Sequence, residues 1–204
     1  MKSNSVQTVT IVDDDEAVRD SIAMLIRSIG LAAKSFDSGV AFLQQYDPAE
    51  MGCLILDIRM PVMGGLEVQE ELLLRNSTLP IIFISGHGDI PMAVKAVKKG
   101  AIDFISKPFR EQELLDCVQR ALIINDELKD RVSDQLAVTE NLVKLSPREK
   151  EVMNLMIEGS ANKVIAIDLG ISQRTVEVHR AHVMEKTGAR SLAQLVKMIA
   201  SLPD

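Results

Sequence analysis

Five short apolar runs, each followed by a longer stretch of helical period, constrain the first 124 residues more than any other feature of the chain. The runs occupy residues 9–12, 32–36, 53–56, 81–84 and 102–105. Between them, Val18, Ile22, Leu25 and Ile29 share one helical face before Gly30 ends the pattern, and similar segments span 39–46, 66–75, 91–99 and 111–124. Strand and helix alternating in this way predict an α/β, doubly wound sheet of five parallel strands, flavodoxin-like, with order 2-1-3-4-5.

The remaining residues read differently. From 124 to 144 no Gly or Pro occurs, while Ile124, Leu128, Val132, Leu136 and Val143 recur at roughly helical spacing. That stretch is either a continuation of the last helix or a solvated connector. Beyond it the pattern is all helix. Ser146-Pro147-Arg148-Glu149 is a capping-box start, a second helix fits 162–169 before Gly170, Ser172 caps a third that reaches Thr187, and Ser191 to Gln194 repeats the capping-box wording. An all-α unit of four helices is expected there.

Charge separates the two parts. Residues 145–204 carry eight Lys/Arg against seven Asp/Glu, whereas residues 1–144 carry fifteen against twenty-two. An acidic first part and a near-neutral second part point to two jobs. At 47% hydrophobic and 25% charged residues the composition is that of a globular protein, and the apolar runs are far too short to span a bilayer. No basic segment followed by an apolar one opens the chain, so no secretion signal is expected, and Cys53 and Cys117 form no paired motif. A reducing cytoplasm, with both thiols as small core residues and no membrane partner, is the expected setting.

Asp13, Asp14 and Asp15 follow the first predicted strand, and Asp57 ends the third, 43 and 44 positions beyond Asp14 and Asp13. In the expected strand order these strands are neighbours at the point where the connections reverse, so their carboxyl ends converge. Three close carboxylates repel one another unless a cation joins them, and a hard divalent ion such as Mg²⁺ suits oxygen donors. Asp15 has the alternative of a simple helix N-cap. Ser85 ends the fourth strand and Lys107 the fifth. A lysine and a metal beside a carboxylate neutralise an incoming phosphoryl group while the carboxylate attacks it.

Ile-Val-Asp-Asp-Asp (11–15), Leu-Asp-Ile-Arg-Met-Pro (56–61), Ile-Ser-Gly-His-Gly-Asp (84–89) and Lys-Pro-Phe (107–109) resemble the receivers of two-component response regulators of the FixJ/NarL type. The resemblance implies a receiver over 6–124, a linker over 125–143, and Asp57 as phosphoacceptor. Asp14 is then a direct Mg²⁺ (or Mn²⁺) ligand, Asp13 a water-mediated one, and Arg59 a ligand through its backbone carbonyl. Ser85 and Lys107 match the family's switch hydroxyl and lysine, Phe104 its rotating aromatic position, and a cis Lys107–Pro108 bond is implied. Val62 and Gly64 depart from the family's usual Pro-Gly-Met-Asp/Ser-Gly wording, and the extra glycine is expected to loosen that loop.

Residues 144–204 resemble the LuxR-type helix-turn-helix, through Asn162 to Ala166, Leu169 to Ser172 and Thr175 to His179. Lys163, Arg174, His179, Arg180 and Lys186 are candidates for DNA phosphates, and Thr175, Glu177, Val178 and Ala181 for base edges. Glu177 has a second reading as an intrahelical partner of Arg174 or Arg180. His179 as a metal ligand is disfavoured by spacing, since no Cys, His or acidic pair accompanies it suitably. The partners implied are a sensor histidine kinase, promoter DNA, RNA polymerase and, once phosphorylated, a second copy of the chain.

Two other classes were weighed. A Mg-dependent aspartyl-phosphate hydrolase normally carries a second Asp two residues after the nucleophile, where this chain has Arg59; at most slow self-catalysed phosphotransfer and autodephosphorylation are expected. A signalling adaptor whose helical tail binds protein is opposed by the full helix-turn-helix wording.

Overall fold

The structure, a computed structural model, describes residues 7–86 and 90–202. His87, Gly88 and Asp89 of the fourth motif, Val6 at the start of the expected receiver and the final two residues lie outside them. The chain divides after Leu128 into two compact units.

In the first unit the elements alternate: β1 (Thr8–Val12), α1 (Glu16–Ser28), β2 (Ala32–Phe36), α2 (Gly39–Gln45), β3 (Gly52–Asp57), α3 (Gly65–Leu74), β4 (Ile81–Ser85), α4 (Ile90–Lys98) and β5 (Asp103–Ser106). All strands are parallel, in the order β2-β1-β3-β4-β5. Successive side chains of a strand face opposite ways, so β3 sends Cys53 and Ile55 to one core with Ile22, Ile26, Leu114 and Val118. Leu54 and Leu56 enter the other, with Phe42, Val68, Leu72 and Phe83. Both faces of the central strands are therefore buried, which explains why they read as unbroken apolar runs. Cys53 and Cys117 are free and buried.

Helix α5 (Glu111–Val143) begins in the first unit and ends in the second, so residues 125–143 are helical. No helix among the described residues is long and apolar enough to cross a membrane. The second unit continues with α6 (Pro147–Ile157), α7 (Asn162–Leu169), α8 (Gln173–Thr187) and α9 (Leu192–Ala200). Val152, Met156, Ile165, Val176, Val183 and Leu195 form its core. The capping box before α6 is complete: Ser146 Oγ accepts from the Glu149 N–H at 3.3 Å, and Glu149 Oε2 accepts from the Ser146 N–H at 2.7 Å. Before α9 only half of the expected box forms. Ser191 Oγ accepts from Gln194 N–H, but the Gln194 side chain takes the N–H of Arg190 instead of that of its own cap.

The loop between β3 and α3 differs from expectation. Gly64 has an ordinary extended backbone (φ −77°), so its extra freedom is not used. Val62 instead holds the left-handed conformation (φ 69°), 95% exposed, with the Met63 N–H donating to the Pro61 carbonyl at 2.8 Å. A β-branched residue is strained there.

Candidate functional site

The carboxyl ends of β1, β3 and β5 meet because the sheet order brackets β3 between β1 and β4. Asp13 follows β1 and is fully buried; Asp57 ends β3 and is 4% exposed; Asp14 stands exposed at the rim. Lys107, just past β5, donates from Nζ to Asp13 Oδ2 and to Asp57 Oδ1, both at 2.6 Å. The Lys107–Pro108 bond is cis.

Each remaining carboxylate oxygen is held by backbone. Asp57 Oδ2 accepts from the Arg59 N–H at 2.6 Å, and Asp13 Oδ1 from the Asp15 N–H at 3.0 Å. Asp15 caps α1, accepting from the Ala17 and Val18 N–H groups, and so takes the N-cap alternative. Gly65 sits where a Cβ would lie 2.3 Å from the Asp57 carbonyl oxygen, so the start of α3 passes behind the acid site only as glycine.

Burial raises the pKa of Asp57, as does Asp13, and Lys107 works against both. For Lys107, burial alone would lower the pKa, but its bonds to Asp13 and Asp57 outweigh it and raise the ammonium above its usual value. Two buried carboxylates therefore share one ammonium, with the exposed Asp14 next to Asp13 in the chain. The donors are hard oxygens and carry more negative charge than Lys107 offsets, which suits a small dication. Ser85, fully buried, ends β4 with its carbonyl accepting the Lys107 N–H at 2.6 Å. Phe104 on β5 is partly buried against the α3–α4 side of the sheet. On α4, Val94 and Val97 are 49% and 51% exposed, whereas Ile102, beyond that helix, packs against the first unit's own core.

In the second unit the turn between α7 and α8 closes on Gly170, which takes the left-handed backbone (φ 64°) at the end of α7. Ser172 then caps α8 by accepting from Thr175 N–H. Val176 and Val183 point into the core, which leaves Arg174, Glu177, Val178 and Ala181 as an exposed stripe at helical spacing. Thr175 is exposed, with its hydroxyl bonded to that of Ser172 at 2.8 Å; Arg180 is partly exposed and Lys163 on α7 exposed. The intrahelical pair expected of Glu177 does not form among the described residues.

Two residues expected at phosphates also have surroundings within the unit that the sequence did not indicate. Lys186 Nζ donates to both carboxylate oxygens of Glu149, at 2.8 and 2.7 Å. Lys186 first, then the Ser146 N–H, hold the Glu149 carboxyl down at about 2. His179 is half-buried, and its Nδ1 is buried with no hydrogen-bond partner among the described residues. Sequence reasoning missed the Glu149–Lys186 pair. The capping box identified Glu149 as a cap residue, and nothing in the local pattern says that α8 returns past it.

Residues 9–119 match the family described as response regulator receiver domain, and residues 143–199 match bacterial regulatory proteins, luxR family. The chain is 46% identical to the response regulator protein TmoT of Ectopseudomonas mendocina, over 96% of this chain and 89% of that one. It is 44% identical to the transcriptional regulatory protein FixJ of Azorhizobium caulinodans, over 93% and 90%. Among solved structures it resembles the response regulator StyR (TM-score 0.85, 45% identity, 95% of this chain and 98% of that one). Full-length FixJ from B. japonicum is also similar (TM-score 0.60, 37% identity, 97% and 98%).

Proposed function

Because the chain belongs to the response-regulator family, with a receiver and a LuxR-type DNA-binding domain, we propose that a sensor histidine kinase phosphorylates it on Asp57. The phosphorylated protein dimerises and binds promoter DNA to regulate transcription. The observation that carries this reading is the ammonium of Lys107, 2.6 Å from both Asp13 Oδ2 and Asp57 Oδ1. It already sits where a second anion must be neutralised.

In the transfer a carboxylate oxygen of Asp57 forms a bond to phosphorus as the donor's phosphorus–nitrogen bond breaks, and the imidazole keeps the electron pair. Asp14, Asp57, Asp13 and the carbonyl of Arg59 would hold Mg²⁺ (or Mn²⁺), which would neutralise charge on the phosphoryl oxygens. Lys107 neutralises the same anion from the other side. The Ser85 hydroxyl bonds the arriving oxygen, and Phe104 turns inward as that hydroxyl moves.

The surface that changes lies between α4 and β5, where Val94 and Val97 are exposed, and a second receiver covers it. Such a switch needs only a few kcal/mol of bias between two packings. Dimerisation then joins two weak DNA-binding units by effective concentration, which predicts an inverted-repeat site with half-sites about one helical turn apart. On each half-site the stripe from Arg174 to Ala181 faces the groove, with Lys163, Arg174 and Arg180 toward phosphates, and RNA polymerase is the downstream partner.

The test is incubation with a small acyl phosphate and Mg²⁺ followed by mass spectrometry. One phosphoryl group on the wild type and none on Asp57→Ala is expected. Full labelling of the variant at another Asp sinks the assignment.

A further inference from the structure

We propose that Glu149, His179 and His182 form a binding site for a divalent transition-metal ion of the Zn²⁺ class, joining α6 to the DNA-facing helix α8. One potential ligand atom from each of the three residues lies within 4.8 Å of the others. His179 and His182 are one turn apart on the same face of α8, and Glu149 reaches them from the first turn of α6, thirty positions earlier in the chain. Two imidazoles and one carboxylate are a common catalytic and regulatory donor set for zinc and its neighbours, which leaves further positions to water.

Two features favour an ion here over a closed structural cluster. The buried Nδ1 of His179 has no partner among the described residues, and a buried polar nitrogen without one costs free energy that a metal bond at that ring position would remove. The carboxylate of Glu149 is also asymmetrically engaged. Oε2 takes both the Ser146 N–H and Lys186, at 2.7 Å each, whereas Oε1 has Lys186 at 2.8 Å and only a 3.4 Å approach from His182 Nδ1. Oε1 therefore retains a lone pair on the side of the histidines, while Oε2 keeps the cap and the lysine. The carboxyl is ionised and its rotamer is already fixed, so the donor is preorganised. Lys186 is the competing cation, and the metal takes its place on Oε1 alone.

Sequence spacing argued against such a role for His179, because it considered partners near in the chain. The missing ligand comes from another helix. The site lies beside the stripe Arg174 to Ala181, so an ion bound there staples the DNA-facing helix to the helix that supports it.

The chain has three histidines, so ring resonances report on the site directly. Metal-free full-length protein, with Mg²⁺ in excess to fill the receiver, is titrated with Zn²⁺ while the imidazole ¹⁵N resonances are followed. The rings of His179 and His182 are expected to shift together and saturate at one equivalent. His182→Gln, at a half-exposed position, should weaken the His179 response by at least about tenfold, since even a lost outer-shell partner costs that much. Lys186→Met should strengthen it, and Asp14→Asn should leave it unchanged. The proposal is overturned if neither ring responds at tenfold excess Zn²⁺, which would make the orphaned nitrogen a water site. It is also overturned if the His179 shift survives unchanged in His182→Gln or disappears in Asp14→Asn.

Discussion

Lys107 Nζ stands 2.6 Å from Asp57 Oδ1 although the two residues leave strands that are separated in the sheet by β4. The same ammonium meets Asp13 beyond the far side of β3. One cation thus ties together the ends of three strands, and the proposed binding site is also a source of electrostatic strain.

That strain is measurable. Asp57→Asn removes one of two buried carboxylates that share a single lysine, so without divalent ions it should raise the unfolding free energy by about 1 kcal/mol. Mg²⁺ at ten times its dissociation constant should stabilise the wild type by about 1.4 kcal/mol and the variant much less. Urea unfolding with and without Mg²⁺ checks both, and equal Mg²⁺ effects in the two proteins would contradict the site.

Val62 carries backbone strain of another kind. With φ at 69° and the side chain in solvent, Val62→Gly removes a left-handed penalty and no packing. The receiver should become more stable by up to about 1 kcal/mol, and a lower urea midpoint would count against a strained turn.

Gly170 is the converse case. Among the described residues nothing lies within 4 Å of a Cβ built there, so Gly170→Ala meets only the conformational cost of φ 64°. A loss of about 1 kcal/mol is expected. A loss several times larger would mean that the turn between α7 and α8 rearranges.

Acid should loosen the second unit through Glu149. Its folded pKa, about 2, lies below the usual 4.5, so the stability it contributes is complete above about pH 4.5 and is lost as the pH falls toward 2. Protection factors of the α6 and α8 amides, taken against the intrinsic exchange rate at each pH, should therefore fall across that window. Lys186→Met should flatten the dependence, and an unchanged acid limb in this variant would show that another group governs it.

Dimerisation is tested at Val97, about half exposed on α4. In fully phosphorylated protein, Val97→Glu places a carboxylate in the proposed shared surface and should weaken the dimer by tenfold or more, as read by light scattering. A phosphorylated variant that dimerises as the wild type does would move the interface elsewhere.

Periodicity alone determined the elements and their order. Alternating apolar runs and helical faces, Gly30 and Gly170 as stops, and Ser146, Ser172 and Ser191 as caps are local signals, because hydrogen bonds within a turn and burial of one face act over a few residues. The convergence of Asp13, Asp57 and Lys107 was legible too, since a parallel sheet with right-handed crossovers leaves few places for strand ends to go. What only tertiary structure decided are the pairings between surfaces that no repeat specifies. Lys186 pairs with Glu149, His179 buries one ring nitrogen, and the left-handed strain fell on Val62 while Gly64 stayed ordinary. Those outcomes depend on how α6 packs across α8 and how a loop closes over a buried acid, and side-chain contacts made at that distance leave no period in the chain.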